Sequence, residues 1–192
     1  EEKGSITTYS PKHPQNLADL AERRRAEAEI QYKSTVAAAE SLISDFNLMS
    51  GKPGVRFFEG VSGIEKVLED TLTSSEIVYT YVDSDTIDKE VSDIDAGYVQ
   101  RRTKQGIAKR ILMPKTPDAA AYAAEFSSEL TDIRLITLPE QRSFYSVLNV
   151  YDQKISYITY EDGLYTSMLV SDPSIYTMQR YLFEALWHHS QA

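Results

Sequence analysis

The stretch VRFFEGVSGIEKVLEDTLTSSEIVYTYVD, residues 55–83, decides the fold. Its first five residues, Val55 to Glu59, are rich in β-branched and aromatic side chains and read as a strand. From Ser62 to Leu72 the apolar residues Ile64, Val67, Leu68 and Leu72 recur at spacings of three and four, which gathers them on one side of a helix. Glu76 to Asp83, EIVYTYVD, is an apolar and aromatic run of the kind that forms a buried strand. Strand, helix and strand in this order predict a β-α-β unit, and with it a sheet containing parallel pairs joined by right-handed crossovers.

Downstream the alternation continues. Ile87 to Gln105 reads as a second helix stopped by Gly106, AKRILMP as the next strand, and Pro117 to Leu130 as an Ala-rich helix. Asp132 to Leu138, Phe144 to Asp152, Lys154 to Tyr160 and Tyr165 to Val170 are strand-like, and tight turns at Asp152-Gln153 and Asp162-Gly163 predict that the last of them form an antiparallel meander. An amphipathic helix from Pro173 to His189 closes the chain and is expected to direct Ile175, Met178, Tyr181, Leu182, Ala185 and Leu186 toward the sheet.

Upstream, Lys52-Pro53-Gly54 marks a break. Between Gln15 and about Met49 there is no proline or glycine, so one helix is expected, about 50 Å long at about 1.5 Å per residue. Its apolar positions Leu17, Leu20, Ala21, Ala28, Tyr32, Val36, Ala39, Ile43 and Phe46 recur at three, four and seven, which suits an antiparallel pair or a loose coiled coil. Arg23-Arg24-Arg25 is interleaved with Glu22, Glu27 and Glu29 and reads as a solvated, salt-bridged face. Ser5 to Tyr9, between Gly4 and the prolines Pro11 and Pro14, reads as a short strand remnant.

The 192 residues, 42% of them hydrophobic, can bury a core. With 29 acidic and 20 basic side chains the net charge is −9, so the field of the chain opposes direct binding of nucleic acid. There is no cysteine, which excludes disulfides, thiolate catalysis and cysteine-held zinc, and agrees with a reducing cytoplasm. No apolar run approaches the roughly 20 residues of a membrane span, and no signal peptide is evident.

Catalytic signatures are missing. His13, His188 and His189 lie near the two ends of the chain, and an adjacent pair cannot put both rings on one helix face as a metal site would need. There is no glycine-rich phosphate loop, HExxH or GxSxG, so no catalytic residue, metal or cofactor is expected. Asp83 and Asp85 follow a central strand, where open α/β sheets bind ligands; they either contact a small molecule or cap the next helix. The 13 tyrosines concentrate in the strands. Tyr79 and Tyr81 share one strand face, and Tyr145, Tyr151, Tyr157, Tyr160 and Tyr165 crowd the meander, where each either packs a core or offers a ring and hydroxyl to a ligand.

Several motifs resemble the TrmB-like transcriptional regulators. KPGVRFFEGVSGIEKVLEDTL (52–72) resembles the stretch after their linker helix, EIVYTYVDSD (76–85) the next strand and loop, QRRTKQGIAKRILMP (100–114) the following helix and strand, and DPSIYTMQRYLFEALWHHS (172–190) their last helix with its FxxLW signature. KGSITTYSPKHPQNLADLAERR (3–24) resembles an outgoing winged-helix strand entering the dimerising helix. The resemblance implies an α/β fold, a mixed β-sheet flanked by helices similar to one half of a phospholipase D, preceded by a long dimerisation helix. It also implies three parts: residues 1–14 as a remnant of a winged helix-turn-helix wing and linker, 15–50 as the dimerisation helix, and 53–192 as the sensor domain.

The phospholipase D signature HxKxxxxD would fall on Tyr145 to Asp152, with Tyr145 in place of the histidine and Val147 in place of the lysine. Neither can supply the nucleophile or hold the phosphate, so a non-enzyme is implied. The same resemblance implies a cytoplasmic homodimer that reads DNA only through a domain outside this chain. A small-molecule effector, a sugar or a phosphorylated metabolite, is expected at the C-terminal ends of the parallel strands, beside Tyr79, Tyr81, Asp83, Asp85, Tyr145 and Asn149. A dimerisation or docking module without a ligand, and a hydrolase with a divergent carboxylate site, are the alternatives.

Overall fold

The computed structural model describes residues 13–50, 52–83, 89–138, 145–161 and 164–190. The strand remnant expected at Ser5–Tyr9, the start of a helix at Ile87 and the Asp162-Gly163 turn lie outside the described residues. The chain divides into two units between Leu42 and Ile43.

The first unit is the greater part of α1 (Gln15–Met49), one uninterrupted helix of 35 residues. Its chain leaves the helix through Lys52, whose N–H donates to the Asn47 carbonyl at 2.8 Å ahead of Pro53. In the second unit the described strands form one sheet: β1 (Gly54–Glu59), β2 (Val78–Val82), β3 (Lys109–Pro114), β4 (Thr131–Ile136), β5 (Ser146–Tyr151), β6 (Lys154–Glu161) and β7 (Leu164–Ser171), in the order β1-β7-β6-β5-β2-β3-β4. The pairs β2–β3 and β3–β4 are parallel and the rest antiparallel. β1 is therefore not beside β2. The β1-α2-β2 crossover leaps three strands, because β1 zips along β7 from Gly54↔Ser171 to Glu59↔Thr166 and the meander fills the space between.

The β5–β6 hairpin turns on Asp152 and Gln153, both at positive φ (39° and 62°), the conformation that matches the twist of a two-residue hairpin. The Asp152 carboxylate also accepts from the Ser75 N–H at 2.8 Å, which ties this turn to the approach to β2.

Helices cover both faces of the sheet. On one, α2 (Val61–Thr71) buries Ile64, Val67 and Leu68 against Tyr98 of α3 (Lys89–Lys104) and against Ile158 and Tyr165. α4 (Pro117–Phe126) adds Ala119 against Val82, Ile111, Met113 and Ile133. It begins with Thr116 accepting from the Ala119 N–H and Pro117 in its first turn. It ends before the expected Leu130, because Ser127 is extended and Ser128 pairs in both directions with Thr131 (2.9 and 3.1 Å). Serine competes for such backbone bonds outside a helix.

On the other face lies α5 (Pro173–His189), capped by Asp172, whose side chain accepts from the N–H groups of Ser174 and Ile175. Here the sequence expectation fails. Ile175 does pack on the sheet, but Met178, Tyr181, Leu182, Ala185 and Leu186 face outward, and the sheet instead receives Tyr176, Phe183 and Trp187. α5 carries apolar side chains on more than one face, and the two large rings win the interior. Arg134 stacks on Trp187 at 4.4 Å and Arg180 on Tyr79 at 4.0 Å, so cations finish the aromatic layer.

Candidate functional site

Of the six residues singled out by sequence, the five that are described do not converge. Strand alternation turns Tyr79 and Tyr81 to the α5 face, where each meets Phe183 edge-on at 5.1 Å between ring centres. Tyr79 is 3% exposed. Burial raises the pKa of both phenols.

Asn149 belongs to the opposite face. Its register partner is Thr80, whose hydroxyl donates to the Asn149 side-chain oxygen at 2.8 Å, and the Asn149 amide donates to the Ser156 hydroxyl at 3.1 Å. All three are buried, so this row is a satisfied polar thread across β2, β5 and β6. Asp83 is buried at the C-terminal end of β2. Tyr145 lies at the start of β5 with φ 42° and a half-exposed ring. Asp85 lies outside the described residues.

Of the positions on which the HxKxxxxD signature would fall, Val147 packs into the apolar clusters around Ile158 and Ile111. Asp152 sits at the far end of β5, where it bonds Ser75. The strand rise puts it about 20 Å from Tyr145.

A concave site elsewhere was missed. Between α3, α4 and the first halves of β3 and β4 there is a cavity of about 380 Å³ lined by Asp95, Val99, Arg102, Lys109, Tyr122 and Phe126 among others. A smaller pocket of about 50 Å³ adjoins it, sharing Asp95, Lys109, Ile111 and Tyr122 and reaching Thr80.

Arg102 is 1% exposed. It donates to the carbonyls of Ile107 (2.6 Å) and Leu130 (3.1 Å) and to the Thr131 hydroxyl (2.6 Å), while its Nε has no hydrogen-bond partner among the described residues. Burial pulls its pKa below the ordinary arginine value, against the pull of Tyr98, Asp95 and Tyr122; a guanidinium remains a cation all the same. Lys109, 8% exposed, places its ammonium 4.9 Å from the centre of the Tyr98 ring. Burial, then the charge of Asp95, pushes the Tyr122 phenol up to about 12. One signal was legible: Lys109 is in phase with Ile111 and Met113, both core residues, so strand alternation points it inward.

Among the described residues no group of three His, Asp or Glu could hold a metal ion, and no helix is long and apolar enough to cross a membrane.

No protein-family model and no curated protein sequence matches this chain. Solved structures do. NucT from Helicobacter pylori superposes with a TM-score of 0.55 at 11% identity, over 72% of this chain and 98% of its own. Nuc from Salmonella typhimurium, a phospholipase D family member, gives 0.49 at 12% identity, over 73% and 97%. TrmBL2, an archaeal chromatin protein described with a novel mode of DNA binding, gives 0.45 at 16% identity, over 99% and 74%. The NucT superposition shows the fold, a mixed α/β sheet flanked by helices.

Proposed function

We propose that this chain is the effector-sensing and dimerisation region of a cytoplasmic, DNA-binding transcriptional regulator of the TrmB-like type, and that it does no chemistry of its own. The observation that carries this reading is α1. Leu17, Ala21, Ala28, Tyr32, Val36, Ala39, Ile43 and Phe46 follow one another at spacings of three, four and seven, which lays an apolar stripe along its length, interrupted at Arg24 and Arg25. Leu17 and Tyr32 are 71% and 69% exposed, and among the described residues their unit holds no second element to cover them. Most helical stability in proteins comes from packing an apolar face, and an apolar stripe of this extent is satisfied by a second copy laid along it.

Two further observations support the non-catalytic half. The nucleophile position holds Tyr145 and the phosphate-holding position holds Val147, whose side chain fills the core. The acidic balance of 29 to 20 leaves DNA contact, in this reading, to a winged-helix head joined through α1. Ligand occupancy in the sensor domain then biases how two such heads are spaced on DNA, whose half-sites lie about 34 Å or a multiple apart.

Amide hydrogen exchange across residues 15–42, followed at low and at high micromolar protein, tests the pairing. Protection that rises with concentration is the expected result. Fast exchange at both concentrations contradicts it.

A further inference from the structure

We propose that the cavity between α3 and α4 is the effector site, and that it takes a small organic molecule carrying one oxyanion, a carboxylate or phosphate monoester, on an apolar body. This rests on the sensing reading above and gives it a location away from the strand ends.

The charges around this cavity do not balance. Two buried cations, Arg102 and Lys109, line it with one carboxylate, Asp95, which is only half-buried and within ion-pair distance of neither. Arg102 spends its hydrogen bonds on carbonyls and a hydroxyl, with Nε left over. The Lys109 ammonium makes no hydrogen bond or ion pair among the described residues, and the Tyr98 ring is its partner. An ammonium on a largely buried side chain, without an acceptor, is costly, and the natural compensation is an anion entering from the cavity it borders. Within a chain of net charge −9 this is a local excess of positive charge.

Shape and lining point the same way. At about 380 Å³ the cavity falls in the range of small-ligand sites. Val99, Ile111 and the Tyr122–Phe126 ring pair, 4.5 Å between centres, offer an apolar wall for the rest of the molecule. Free phosphate would satisfy the cations and leave that wall wet.

The test uses the whole chain, with thermal melts in phenyl phosphate, benzoate, inorganic phosphate and benzyl alcohol, on wild type, Lys109→Met and Lys109→Arg. The expected result is a saturable rise on the order of 5 °C at a hundredfold excess over Kd for phenyl phosphate or benzoate. Inorganic phosphate should bind more weakly, and benzyl alcohol should have no effect. Lys109→Met should abolish the rise while leaving the unliganded melting temperature equal or higher, since it removes an unpaired buried charge at constant volume; Lys109→Arg should retain part of it. A rise that survives Lys109→Met, an equal response to benzyl alcohol, or no response to either organic anion overturns the proposal. Lys109→Val, smaller and fit for a strand, repeats the measurement should the methionine variant not fold. Sedimentation of the same samples separates the two readings: a dimer that ignores the anions removes this site and leaves the dimerisation reading standing.

Discussion

The carboxylate of Asp70, on α2, accepts a 2.8 Å hydrogen bond from the phenol of Tyr151, a fully buried residue at the end of β5. The same oxygen takes the Lys154 ammonium at 2.8 Å, and Arg56 stands 3.7 Å from the other oxygen. One side chain thus fastens α2 to β1, β5 and β6. Asp70→Ala leaves a buried hydroxyl and a half-buried ammonium without their acceptor, and a loss of about 1–3 kcal/mol is expected by urea unfolding. Tyr151→Phe, which removes the donor and leaves a partly exposed carboxylate with its cations, should cost about 1 kcal/mol.

The phenols predict an alkaline limit. Burial holds the Tyr122 pKa up to about 12, and burial followed by the Asp70 charge holds Tyr151 well above its ordinary value of 10.0. A group whose pKa is higher folded than unfolded contributes stability in full below its unfolded pKa and loses it as pH rises toward the folded one. Melting temperature should therefore hold up to about pH 10 and fall between about pH 10 and 12. Tyr122→Phe should flatten that fall; an unchanged slope would contradict the burial assigned to this ring.

Gly63 has a packing reason. A Cβ built there meets the Cβ of Phe58 at 2.9 Å and the Phe58 carbonyl carbon at 3.1 Å, because the first turn of α2 lies directly on β1. Gly63→Ala, which by helix propensity alone would stabilise, should instead cost about 1–3 kcal/mol. Chemical denaturation decides between the two signs.

The two faces of α5 give a contrast that can be read in one pair of variants. Phe183→Ala opens the aromatic layer and should cost about 3–5 kcal/mol, whereas Leu182→Ser, on the outward side, should stay within about 0.5 kcal/mol. Equal losses would mean that the helix is turned the other way.

Most of the fold was legible because its signals are local. Turn chemistry marked Asp152-Gln153, and Asp172-Pro173 together with the run to His189 set both ends of α5. What was not legible depends on partners distant in sequence. The alternation of VYTYV separates Tyr79 and Tyr81 from Thr80, but no pattern in the chain says that Asn149 pairs with Thr80, and that register is what sends Asn149 to the opposite face. Nor does any local signal place β1 at the far edge of the sheet beside β7. Arg102 sits in the sequence QRRTK, which reads as a solvated helix end; only the return of Ile107 and Thr131 to the same place encloses it.

The proposed regulator depends above all on α1 pairing with a second copy of itself. Sedimentation equilibrium of the chain at tens of micromolar measures this most directly, alongside a variant carrying Val36→Asp and Ile43→Asp on the apolar stripe. The predicted result is twice 21.7 kDa for the chain, falling to 21.7 kDa in the variant with the sheet domain still folded. A wild-type chain that sediments at 21.7 kDa throughout that range would contradict the pairing.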